Sequence, residues 1–101
     1  MNEFKIDGYD YEFRIAKMNA IDMLAMRTQL SFDDMDQAKR VFNTILEYIE
    51  VRCDSNWLPV KTKGLNVFFP PEVETDFNLV ESLVKYFTEE FLQPVFRRSN
   101  A

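Results

Sequence analysis

The 101-residue chain contains no histidine, one cysteine, two glycines and four prolines, and each scarcity removes a class of chemistry. Without histidine the usual general base, the relay of a nucleophilic triad and the common nitrogen ligand of zinc are missing. Cys53 has no partner for an internal disulfide. With no histidine to act as its base, it reads as a small buried hydrophobe rather than a nucleophile, and this cysteine usage suits a reducing compartment. Gly8 and Gly64 stand apart, so no glycine-rich loop cradles a phosphate. Apolar runs such as Val67-Phe68-Phe69 are far too short to span a bilayer, and Met1-Asn2-Glu3 lacks the charged and apolar regions of a signal peptide. The chain is expected to be soluble and cytosolic, without a membrane partner.

Basic residues number 12 against 17 acids, for a formal charge of -5, and no stripe gathers lysine and arginine. Nucleic acid is therefore not an expected partner. What the chain has in quantity is aromatic rings, including ten phenylalanines. Its length suits one domain, residues 1–101, with a single core.

The opening stretch Phe4-Lys5-Ile6-Asp7-Gly8-Tyr9-Asp10-Tyr11-Glu12-Phe13 holds two alternating runs around an Asp-Gly dipeptide. A two-residue type I′ loop predicts a hairpin over 3–14, with Ile6 opposite Tyr9, Lys5 opposite Asp10 and Phe4 opposite Tyr11. Phe4, Ile6, Tyr9, Tyr11 and Phe13 then share one face. A lone hairpin is marginal in water and has two unpaired edges, so its apolar face must rest on a core and its edges are open to another copy.

Three helices follow. The first is expected at 20–30, capped by Asn19 with Asp22 at the third helical position and a Met18/Met23 staple; Ile21, Leu24 and Ala25 line one face, and Met23, Met26 and Leu30 widen the apolar surface beyond what a single core contact needs. The second is expected at 34–52, starting near Ser31 to Asp34 where serine and clustered acids favour an N-terminus, with the stripe Met35, Ala38, Val41, Phe42, Ile45, Leu46 and Ile49. The third is expected at 76–92, with Phe77, Val80, Leu83, Val84, Phe87 and Phe91 inward and Pro94 ending it. Between the last two, residues 54–75 read as an apolar crossover loop with short strand character at 57–60 and 65–69. The expected fold is mainly α with a small N-terminal β-hairpin, about three helices around one core.

No catalytic residues, cofactor or metal are expected, and enzymatic activity is not. The acids at 33, 34 and 36 sit where helix starts favour them, and no calcium-type loop surrounds them. What remains is apolar surface, which on a soluble protein marks association. The candidate interface residues are Phe4, Tyr9 and Tyr11 on one copy, against Val67, Phe68 and Phe69 or Val95 and Phe96 on the next.

The opening Phe4–Phe13 stretch, the Ala20-Ile21-Asp22 helix start, Trp57-Leu58-Pro59 and the close Phe91-Leu92-Gln93-Pro94-Val95-Phe96-Arg97-Arg98-Ser99 together resemble the tail assembly chaperones of long-tailed bacteriophages of Gram-positive bacteria. The resemblance implies a small, mainly helical protein of the host bacterial cytoplasm. Such a protein forms rings or spirals of itself, coats the tape measure protein before tail tube polymerisation, and is not expected in the mature virion. The tail tube protein is a further implied partner. No residue motif for client contact carries over. Two other readings of the same features are a small acidic adaptor or inhibitor of a host protein, and a structural virion connector.

Overall fold

The computed structural model describes residues 3–28 and 35–92. Its described elements are β1 (Glu3–Phe4), β2 (Phe13–Ile15), α1 (Ala20–Thr28), α2 (Met35–Tyr48), β3 (Ile49–Cys53), β4 (Asn56–Pro59), a 3₁₀ turn (Pro71–Glu74), α3 (Phe77–Phe87) and a π-helical turn (Thr88–Leu92). The four strands form one antiparallel sheet in the order β1-β2-β3-β4. The fold is therefore α+β, and the expectation of a mainly α protein carrying a lone hairpin is corrected. The N-terminal strands are half of a four-stranded sheet.

Of the other half, β3 comes from the expected second helix, and β4 falls at the 57–60 stretch where strand character is expected. The apolar stripe of that helix continues to Ile49 at helical spacing, yet Ile49-Glu50-Val51 alternates, and alternation with β-branched residues suits a half-covered strand. The helix ends at Tyr48 and the chain passes directly into β3. There Ile49 and Val51 are buried while Arg52 is exposed. A two-residue Asp54-Ser55 loop, with Asp54 at φ 57°, returns the chain as β4; aspartate tolerates this left-handed backbone better than most residues. The central pairing, Phe13 opposite Val51 and Ile15 opposite Ile49, joins positions far apart in the chain.

Within the N-terminal arm the register also differs from expectation. Phe4 lies opposite Phe13, not Tyr11. The shift is an even number of positions, so the faces are preserved, as the two-residue period of a strand requires. Gly8 takes φ 90° while Asp7 does not take a positive φ. A type I′ loop needs both, so the tight hairpin does not close. The turn itself is present, with the Tyr9 N–H donating to the Ile6 carbonyl at 3.1 Å, but residues 5–12 run outside the ladder.

One sheet face and the helices enclose the core: Phe13, Ile49 and Val51 meet Val41, Ile45 and Leu46 of α2 and Leu79, Leu83 and Phe87 of α3, all buried. The opposite face is polar. Arg14 pairs with Glu50 at 2.6 Å and its guanidinium lies 4.5 Å from the Trp57 ring centre, while Arg52 pairs with Glu12 at 3.7 Å. Lys61 is the described buried charge, with Nζ 3.1 Å from Glu47 Oε2. The same oxygen accepts the Gly64 N–H at 3.2 Å and so fixes the 62–65 turn. Strand character expected at 65–69 reduces to a single bridge between Lys61 and Phe68.

Candidate interaction surface

Three phenol–carboxylate bonds fix how the helices and the arm present their outer faces. Tyr48 donates to Asp22, whose backbone N–H is capped by Asn19 Oδ1 at 2.8 Å. This pins the rotation of α1 so that Met18 and Met26 are buried and Ile21 and Leu24 stand 79% and 59% exposed. Of the two apolar sets on α1, the Ile21 and Leu24 face is the outer one. Both sets of apolar residues have helical spacing; the unbranched methionines fill the core instead.

On α3 the Asp76 side chain accepts from the Leu79 N–H at 3.1 Å, which starts the helix where the sequence places it. Leu79, Leu83 and Phe87 recur every four residues and take the buried face. Phe77, two positions before Leu79, points the other way and is 75% exposed. Val80 and Val84, expected in the core, lie on the flank between these faces. With Phe42 of α2 they line an open apolar groove of about 540 Å³, rimmed by Glu81 and Lys85. A shallower hollow of about 270 Å³ shares Phe42 and Val80 and continues the groove past Lys39 toward Phe68 and Glu74.

The expected interface residues are distributed differently. Phe4 stacks on Tyr86 at 3.7 Å and on Phe13 at 5.7 Å between ring centres. Tyr9 donates to Asp76 at 2.8 Å and Tyr11 donates to Glu72, so the arm is clasped to the start of α3 and the turn before it. Phe68 and Phe69 are half-buried against the core, and Val67 is exposed. Val95 and Phe96 lie outside the described residues, as do Asp33 and Asp34. The structure thus brings Phe4, Tyr9 and Tyr11 onto the body of their own chain and leaves Val67 outward. Of the expected inner stripe of α3, Leu83 and Phe87 are buried, Val80 and Val84 pack partly buried against the core and Phe77 is exposed, a rotation set by the burial of Leu79.

The sheet edges are weak templates for pairing. Val60 N–H donates to the Ile49 carbonyl at 2.8 Å, and counting back along β4 turns the backbone groups of Trp57 and Pro59 to the free edge. Proline has no N–H, so that edge offers little. The opposite edge, β1, spans two of the described residues.

All four tyrosine hydroxyls hold their protons above the ordinary value of 10.0. For Tyr9, Tyr11 and Tyr48 the largest cause is the bond to Asp76, Glu72 and Asp22 respectively; for Tyr86 it is burial. Among the described residues no group of three or more cysteine, aspartate and glutamate side chains could hold a metal ion, and no helix is long and apolar enough to cross a membrane. Comparison with family models, with curated proteins and with solved structures finds no match for this chain.

Proposed function

We propose that the protein is a tail assembly chaperone of a long-tailed bacteriophage, which associates with itself and coats the tape measure protein before the tail tube polymerises. The observation that supports this reading is the apolar groove between α2 and α3, where Phe77 stands 75% exposed beside Val80 and Val84. From Phe77 to Lys85 it follows α3 for about 12 Å at 1.5 Å per residue, or two turns. That length takes the apolar stripe of an amphipathic helix, read at positions i, i+3 or i+4, and i+7. A long helical client carries such stripes repeatedly. Each contact need only be modest, since many copies on one client act together.

A second apolar surface, Ile21 and Leu24 on α1, leaves room for copies to contact one another while the groove is occupied. In this reading the protein works in the host bacterial cytoplasm, alongside the tail tube protein, and leaves before the virion matures. The test is co-expression with the tape measure protein of the same phage. The client is expected to remain in the soluble fraction with the chaperone and to pellet without it; equal pelleting in both cases contradicts the proposal.

A further inference from the structure

The N-terminal arm is attached to the body in an unusual way. Among the described residues β1 joins the sheet through two residue pairs, Glu3 with Arg14 and Phe4 with Phe13. Its side-chain anchorage is Phe4, stacked between Phe13 and Tyr86. The chain then reverses at Ile6–Tyr9, a turn closed by one backbone hydrogen bond of 3.1 Å. Beyond the turn, Tyr9 and Tyr11 are fastened separately, to Asp76 and Glu72. Opening the turn would therefore free residues 3–8 while the tyrosine clasps stay in place.

We propose that this turn is a hinge, and that β1 of one copy exchanges onto β2 of a second copy of the chain. Extended from the Tyr9 anchor, residues 3–8 reach about 20 Å, which limits the exchange to a copy lying directly alongside. In the neighbour, Phe4 finds the same stacking site on Phe13 and Tyr86 that it leaves at home. The two ladder pairs are also recovered, so what leaves home is the turn bond and the partly buried packing of Ile6. Donor and acceptor surfaces differ, which makes the contact heterologous and able to add copies without limit.

Concentration decides between the two forms. A short flexible connection holds the arm at an effective concentration in the millimolar range near its own site. Dilute copies stay closed, and copies gathered side by side exchange. This inference rests on the reading of a self-associating coat and supplies its switch: assembly follows local crowding on the client.

Lys5 of the arm and Lys85 of α3 line the same hollow, of about 460 Å³, and give a direct test in the unmodified chain. Normal and heavy-isotope-labelled protein are mixed in equal amounts, brought to a concentration where light scattering shows assembly, and treated with a short amine cross-linker. About half of the Lys5–Lys85 links are expected to join a light and a heavy chain, as random pairing in a heterologous assembly gives.

A second variant acts on the hinge. No atom lies within 4 Å of a Cβ added at Gly8, so Gly8→Val has only the 90° φ to oppose it. Valine disfavours the closed turn and accepts the extended hinge, and the concentration of half-assembly is expected to fall about 5- to 30-fold. Links confined to chains of like label in a sample that assembles overturn the exchange and leave the chaperone reading standing. An unchanged or raised half-assembly concentration in Gly8→Val also overturns it. A chain that is monomeric at every concentration, with and without client, overturns both.

Discussion

The Tyr9 hydroxyl and the Asp76 carboxylate, 67 positions apart in sequence, meet at 2.8 Å. One carboxylate therefore serves two elements: its other oxygen accepts from the Leu79 N–H and caps α3, while this one holds the arm. Losing an N-cap side chain costs about 1 kcal/mol, and here the arm clasp goes with it. Asp76→Ala is expected to lower stability by at least the cap's share and to raise amide exchange in residues 9–12. Asp76→Asn keeps a capping oxygen and recovers most of the stability. Equal loss in both variants, measured by urea denaturation, would show that the side-chain oxygen does not carry the effect.

Alkaline pH should loosen the fold. The phenols of Tyr9, Tyr11 and Tyr48 are held above the ordinary value of 10.0 by their carboxylate partners, first among other causes. The unfolded chain therefore gives up these protons at lower pH than the native one. Their contribution is complete below about pH 10 and is lost as pH rises through the native values. Urea midpoints are expected to fall across that window, in step with phenolate absorbance. Absorbance that rises in the native protein as it does in free tyrosine would contradict the clasps.

Lys61 is almost wholly buried and its described counter-charge is Glu47. Removing one partner of a buried pair strands the other, at a cost of about 3–5 kcal/mol. Glu47→Ala is expected to destabilise by that order. Pairing it with Lys61→Met restores much of the loss, because the charge is removed from the interior. A Glu47→Ala variant within 0.5 kcal/mol of the parent, as surface changes commonly are (roughly), would place the pair in solvent.

Phe77 contributes to the groove and little to the core. Phe77→Ser should leave the melting temperature nearly unchanged. A helix that buries this ring loses about 1.5–3 kcal/mol of apolar contact, so client affinity is expected to fall roughly 10- to 100-fold. Calorimetry against a tape measure fragment measures it; undiminished binding would move the client off this groove.

Local signals gave the starts of α1 and α3 and the strand at 57–60, and missed the sheet that joins the strands. Asn19 and Asp76 cap where their side chains predict, and Ala38, Val41, Ile45 and Leu46 form the buried stripe of α2. The passage from helix to strand at Ile49 was hidden because Ile45 and Ile49 are four apart, which extends the helical stripe as well as it begins an alternation. The Phe13–Val51 register depends on a partner strand far along the chain, and no local period encodes such a pairing. For the surface, apolar identity was legible and direction was not. Ile21, Leu24 and Phe77 are as apolar as the residues that displaced them inward, and only packing distinguishes the sets.

In the proposed function many copies coat one client through the α2–α3 groove. The most direct measurement of this is the molar mass, by light scattering coupled to size exclusion, of the complex purified with the tape measure protein. A mass equal to one client plus many copies, falling sharply for Phe77→Ser, is the expected result. A client bound by a single copy, or a mass unchanged by Phe77→Ser, would contradict it.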